Sequence, residues 1–318
     1  MAIGPDPQIQ IRPRILILLA VYNGAEHLSR QLDSYLDQTD PDWDLLASDD
    51  TSLDDSRTIL DDFATRAPGH SVTVLTGPGR GAVGNFFHLL AQVPEGTELV
   101  ALSDQDDVWH PGKLARARAA LAQLDPATPA LYCAGSIICA ADLTPVRRSP
   151  TFHRPPHFRN ALVQSVGGGN TMMLNRAAID LVRLAVTEAQ EAAMHDWWLY
   201  QIITACGGQV LRDPEPVLDY RQHAGNVIGA NTTLRGQIYR MLFIMGRRFA
   251  DWNAINLRGL HATRHRFTPE ACNILDHYSA ARTGPVLARL RALRASGVYR
   301  QHRKGTIALY IACLLGRL

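Results

Sequence analysis

The sequence predicts an α/β protein. It should hold a mostly parallel, Rossmann-like sheet with helices on both faces, followed by a helical C-terminal extension. Three observations lead there. Continuous apolar runs alternate with amphipathic stretches up to about residue 140, the βαβα order of a parallel sheet. Three of those runs end in polar clusters: Tyr22-Asn23-Gly24, Asp49-Asp50 and Asp104 to Asp107. Past residue 231 the strand alternation stops and helical spacing takes over.

The elements follow in order. Ile15–Val21 is apolar throughout, as a strand buried on both faces requires. Leu28, Leu32, Tyr35 and Leu36 then mark one face of a helix. Trp43–Ser48 reads as the second strand. Ser52 and Asp55 have capping-box spacing ahead of a helix carrying Ile59, Leu60 and Phe63. Val72–Leu75 is a third strand, followed by a glycine-rich loop, Gly77–Gly84, and a helix from Asn85. Glu98–Ser103 is the fourth strand, Pro111 opens the next helix, and Ala130–Ala140 is the fifth strand. Order resumes at Ser165–Asn175 and in a helix after Asp196.

At ~150 residues per domain, 318 residues make about two domains. One large α/β domain with an appendage fits as well; either way the pattern separates an α/β part, 1–230, from a basic helical extension, 231–318. With 46% hydrophobic and 19% charged residues, disordered and low-complexity classes are excluded. Five cysteines without a CxxC pair point to a reducing, cytoplasmic compartment and away from structural zinc. The net charge of +2 conceals an asymmetry: from Asn231 onward 14 Arg and one Lys face Asp251, Glu270 and Asp276. An acidic body with a basic tail suits an anionic surface. The longest apolar runs, Ile15–Val21 and Ile307–Leu315, are too short to span a bilayer, and the first residues lack a signal-peptide core. A soluble or peripherally attached protein is expected.

Ligands of such sheets bind beyond the carboxyl ends of the strands, where all three polar clusters fall. Asp104 and Asp106 flank one residue, so on extended backbone both face one side and can share Mg²⁺ or Mn²⁺. A bare DxD also occurs in solvated turns; its place after an apolar strand favours the metal reading. Asp49-Asp50 fits either helix capping or hydrogen bonding to a base or ribose. Asp196, between His195 and Trp197-Trp198, is either an N-cap beside core tryptophans or a carboxylate whose apolar pocket suits general-base duty. Gly167-Gly168-Gly169-Asn170 allows close approach of a ligand to backbone, or makes a turn. His223 could complete a metal shell and Arg221 could pair with phosphate.

The order of motifs ILILLAVYNGAEHLSRQLDSYLDQT, LLASDDTSLDDS, GAVGNF, ALSDQDDVWHPGKL, GGGNTMMLNR, HDWW and YRQHAGN resembles family 2 glycosyltransferases with the A-type fold. The likeness spans about residues 12–230 and is nearest to bacterial rhamnosyltransferase-like members of polysaccharide assembly. It implies an inverting, metal-dependent transfer from a nucleotide-diphosphate sugar to a glycan or lipid-linked glycan. It places Tyr22, Asp50 and Ala20 at the base, Asn85 among the donor-binding residues, and Asp104 at ribose or sugar, with Asp107 as helper. Asp106 and His223 would hold the Mg²⁺ or Mn²⁺, with Arg221 and Gln222 near the diphosphate. Asp196 would be the base, with Trp197 and Trp198 shaping the acceptor site. Thr51 stands where the family's DDGS has Gly, and Thr lacks easy access to positive φ.

The tail fits an anionic membrane surface: Leu234, Ile238, Leu242 and Met245 lie on one helical face beside Arg240, Arg247 and Arg248, and Val286, Leu290 and Leu293 alternate with Arg289, Arg291 and Arg294. Plain packing onto the catalytic domain is the other reading. No base-reading motif supports nucleic acid. Two further functions compete: a sugar nucleotidyltransferase, disfavoured by Ala20-Val21-Tyr22-Asn23-Gly24 where a basic glycine-rich loop belongs, and a non-catalytic scaffold at the membrane, disfavoured by intact Asp104, Asp106 and Asp196.

Overall fold

The computed structural model describes residues 12–222 and 247–318. His223 and the stretch Leu234–Met245 therefore lie outside the described residues.

The strands are β1 (Ile15–Val21), β2 (Trp43–Asp49), β3 (Val72–Thr76), β4 (Leu99–Ser103), β5 (Val108–Trp109), β6 (Ala130–Cys139), β7 (Pro145–Arg148), β8 (Met173–Asn175) and β9 (Gln209–Arg221). They form one sheet in the order β3-β2-β1-β4-β8-β6-β9-β5, with β7 beside β6. β1 pairs in parallel with β2 and β4, β2 with β3, and β6 with β9. β8 runs antiparallel between β4 and β6, β5 antiparallel to β9 and β7 antiparallel to β6. The sheet is thus mostly parallel, as expected, with short reversed strands inserted.

Helices α1 (Ala25–Leu36), α2 (Ser56–Arg66) and α4 (Lys113–Leu121) cover one face, and α3 (Gly81–Ala91), α6 (Arg176–Ala189) and α7 (His195–Ala205) the other. A single turn, α5 (Phe158–Ala161), precedes the glycine loop. The continuous apolar run of β1 is explained by this sandwich. Ile15, Ile17, Leu19 and Val21 enter the core under α1, while Leu18 enters the core under α7.

Several boundaries differ from the expectation. α3 begins at Gly81, not Asn85, and α4 at Lys113, not Pro111. The Ser52–Asp55 capping box does not form. Asp55 makes no side-chain cap, and Ser52 is turned back, donating to Asp49 Oδ1 and accepting from the Asn23 amide.

The C-terminal helices α8 (Arg247–Ala262), α9 (Pro269–Ala280), α10 (Val286–Ser296) and α11 (Arg303–Leu314) are not a loose appendage. Phe249, Leu260, Ile274, Tyr278, Leu293 and Leu309 join the same core as Trp197 and Trp198. Thr268 caps α9 by accepting from the Ala271 amide, with Pro269 in the first turn. Leu287 and Ile307 remain 69% and 59% exposed, so part of the apolar face of the extension is left uncovered.

Candidate functional site

The carboxyl ends of β1, β2 and β4 are stitched together by side chains whose positions depend on glycine or on unusual backbone. Tyr22 follows β1 directly, half exposed at the rim. Gln105, the middle residue of DQD, holds Tyr22 at two points: its Oε1 accepts from the Tyr22 amide at 2.7 Å and its Nε2 donates to the Tyr22 carbonyl at 3.0 Å. Gly24 leaves room for this clamp, since a Cβ there would sit 2.5 Å from Gln105 Oε1. Asn23 takes φ +47°, and its Oδ1 accepts from the Leu53 amide.

At the end of β2, buried Asp50 accepts from the Gly79 amide at 2.7 Å and the Gly81 amide at 2.8 Å. The carboxylate thereby shapes the glycine-rich loop after β3. Thr51 adopts φ +68°, so the turn after Asp50 keeps the left-handed geometry that Gly takes easily. Its Oγ1 donates to the Asp50 carbonyl, which offsets part of a strain of ~1–2 kcal/mol for a non-glycine residue in that region. Ala20 is half-buried against the core, in register with Ser48.

The β4 end carries the acidic cluster. Asp104 and Asp106 are half-buried, whereas Asp107 is buried. Burial, then Asp106, then Asp196 push the Asp104 carboxyl up to about 7, against the opposing pull of Lys113. Burial also lifts Asp107 well above the ordinary range, and Asp106 and Asp104 add to it. Asp107 is held from two sides: Asn170 Nδ2 donates to Oδ2 at 2.5 Å and the Arg221 amide to Oδ1 at 3.4 Å.

Asp196 sits in the first turn of α7 and is buried. Its carboxylate accepts from the Trp197 amide at 2.6 Å and from the Gly169 amide. Burial outweighs these bonds and raises it to about 6, poised for proton transfer near neutrality. Beside it, burial pushes His195 down to about 3, leaving a neutral imidazole stacked on Phe86 at 3.8 Å. A Cβ on Gly169 would collide with His195 Nε2, so the triple glycine packs the loop against α7.

Asp104, Asp106 and Asp196 are therefore gathered in one electrostatic neighbourhood from segments ninety residues apart in the chain. Four expected contacts are corrected. Trp197 and Trp198 are core residues, 4% and 0% exposed, with their indoles packed into the protein interior. Trp197 Nε1 donates to the Ala161 carbonyl at 2.6 Å, and Trp198 packs on Phe87. Their indoles fix α7 from behind, because an apolar side chain beside a functional Asp is bound to the core of its own helix. Asn85 is 1% exposed and braces the loop from below, its Nδ2 donating to the Ser48 carbonyl. Arg221 is buried and directed at carbonyls, with Nε donating to Asp106 O and Nη1 to Ala141 O, so it braces the acidic segment.

Sequence reasoning missed Gln105 and Lys113. Lys113 is buried, its ammonium 3.4 Å from the centre of the Trp109 ring and bonded to the Asn170 carbonyl, beside Asp107 and Asp104. One signal was available: a lysine at the first position of a helix opposes the macrodipole, so something else must hold it there.

Comparison with known proteins completes the picture. The family model for glycosyl transferase family 2 matches residues 16–180. The dTDP-rhamnosyl transferase RfbG of Shigella flexneri is 27% identical over 230 residues, 70% of this chain and 78% of that protein. Among solved structures, S. aureus TarS 1-349 in complex with UDP-GlcNAc superposes with a TM-score of 0.53 at 14% identity, covering 95% of this chain and 90% of that one. The mannosyltransferase PcManGT from Pyrobaculum calidifontis, in complex with GDP-Man and Mn²⁺, gives 0.50 at 19% identity, covering 99% and 89%. These two likenesses concern the fold.

Proposed function

Because the chain belongs to glycosyl transferase family 2, we propose that it moves a sugar from a nucleotide-diphosphate donor to a hydroxyl of a glycan or lipid-linked glycan, with inversion at the anomeric carbon. What supports this reading is that adjacent residues of one loop, Gly169 and Asn170, bond Asp196 and Asp107, bringing the acidic segment after β4 beside a buried carboxylate on α7.

The roles divide as follows. Tyr22, at the rim, and the glycine-rich loop ordered by Asp50 receive the base. Asp104 faces ribose or sugar. Asp106 and Asp104, both half-buried after β4, suit a hard divalent cation, Mg²⁺ or Mn²⁺: such ions bind through one or two carboxylates plus donor phosphates. His223 is the further ligand proposed for it. When bound, the cation offsets charge developing on the departing diphosphate.

Asp196 takes the proton of the acceptor hydroxyl as that oxygen attacks the anomeric carbon. The Gly169 and Trp197 amides orient its carboxylate, and the buried surroundings exclude water from it. Attack opposite the diphosphate is direct displacement, hence inversion. Similarity to RfbG makes dTDP-rhamnose the first donor to try and surface polysaccharide synthesis the expected setting. No helix among the described residues is long and apolar enough to cross a membrane. Exposed Leu287, Ile307, Leu314 and Leu315 on a basic extension support attachment at the inner face of the cell membrane.

The test is sugar transfer from nucleotide sugars with Mg²⁺ or Mn²⁺. Asp196→Asn should lower kcat by roughly 10²–10⁴ with donor binding retained, and Asp106→Ala should abolish metal-dependent nucleotide binding. A wild-type rate in Asp196→Asn would refute the base assignment.

A further inference from the structure

A cavity of about 280 Å³ lies apart from the carboxylate cluster and is lined by Phe152, His153, Arg154, Arg212 and Gln301 among others. None of its lining residues is acidic. Arg212 Nη1 and Nη2 donate to the carbonyls of Asp213 and Pro150, and its buried Nε has no hydrogen-bond partner. The guanidinium lies 5.2 Å from the centre of the Phe152 ring. Arg154 stacks 3.6 Å over Tyr299, and its side chain donates a long hydrogen bond, 3.5 Å, to the Arg300 carbonyl. Neither arginine pairs with a carboxylate among the described residues, so two positive charges face one hollow.

The hollow is built rather than incidental. Gln301 grips the Arg154 backbone at both ends, accepting from its amide at 2.9 Å and donating to its carbonyl at 3.1 Å. The same loop hangs from α7: the His157 amide donates to Tyr200 Oη at 2.9 Å, one helical turn beyond Asp196. Arg212 is in register with Cys133, which belongs to the core on the α7 face of the sheet. The cavity therefore opens on the face that carries Asp196.

We infer that this cavity binds a phosphate or diphosphate group carried by the acceptor. Its volume is several times the ~30 Å³ of a water, and the Arg154 guanidinium, held by one long hydrogen bond, matches phosphate oxygens while Arg212 adds positive charge from the wall. The donor's diphosphate belongs with Asp106, so an anion on the Asp196 face comes with the attacking partner. That assignment to the acceptor rests on the transferase reading; the anion site itself does not.

The test is calorimetric titration of the full chain with inorganic pyrophosphate in EDTA, where the metal-free carboxylates repel the anion. Arg154→Gln leaves the Gln301 grip on the backbone in place and should weaken binding on the order of tenfold, while Asp106→Ala leaves it unchanged. Equal affinity in wild type and Arg154→Gln overturns the site. Competition by phosphatidylcholine vesicles containing phosphatidate assigns the group to a lipid; competition by glucose 1-phosphate alone assigns it to a soluble glycan phosphate; competition by neither also overturns the site. Arg154-dependent pyrophosphate binding in a protein that transfers no sugar would remove the transferase reading and leave the anion site standing.

Discussion

Replacing Asp196 by Asn tests the chemistry through stability rather than rate. Burial raises this carboxyl from its ordinary value near 4 to about 6. The folded state then holds its proton more tightly than the unfolded chain does. Below about pH 4 both states are protonated and the group contributes nothing. As pH rises from about 4 to about 6 the unfolded chain gives up this proton while the folded state keeps it, and stability falls by up to about 3 kcal/mol; above that both states are ionised and the penalty is constant. Asn carries no such penalty, although its amide nitrogen must face one of the two amides that Asp196 satisfies, a loss of ~1–3 kcal/mol that does not vary with pH. Urea denaturation of both proteins from pH 4 to 7.5 isolates the titration, because the constant part cancels in the difference. The Asn variant should gain on wild type by up to about 3 kcal/mol across that window, with m unchanged. The acid limb of kcat/KM in wild type should fall in the same range. A stability difference that stays flat with pH would mean that Asp196 is an ordinary carboxylate, and the base assignment would lose its physical ground.

Two further outcomes follow from the same geometry. Lys113→Met removes the buried amine that donates to the Asn170 carbonyl and leaves that acceptor unsatisfied, so thermal or urea unfolding should register a loss of about 1–3 kcal/mol; unchanged stability would show that Lys113 does not anchor the loop. Leu287→Glu, at an exposed position of α10, should reduce sedimentation with anionic liposomes at low salt while leaving the melting temperature unchanged. Sedimentation equal to wild type would take α10 out of membrane attachment. Truncating the extension would be a poorer probe, since Leu293 and Leu309 are part of the core.

The fold was largely legible because burial on both faces leaves an unmistakable trace. Ile15–Val21 could be read as a central strand from its composition alone, and the clusters after Val21, Asp49 and Ser103 marked the strand ends where the site forms. Asp104, Asp106 and Asp196 were legible as carboxylates in unusual places. What each neighbour does was less so. Trp197 and Trp198 could be read in one dimension as ligand-facing or as core aromatics, and α7 proves buried on nearly every side, between the sheet, α3, α5 and α6. Asn85 and Arg221 read as ligand contacts because polar residues near a site suggest it; only the packing assigns them to the backbone. Lys113 and Gln105 escaped because their partners, Asn170 and Tyr22, are distant in sequence. The capping-box spacing at Ser52 was a true local preference overridden by Asp49, nearer and charged.

Under the roles proposed for Tyr22 and Asp106, the bidentate grip of Gln105 on Tyr22 would keep the nucleobase and sugar-phosphate ends of a donor from being sensed by independent parts. A shift of the Tyr22 peptide on docking would drag the residue between Asp104 and Asp106, so seating one end of the molecule presets the other. Natural variation at position 105 should accordingly alter preference for the base and demand for the ion together, rather than tuning either alone.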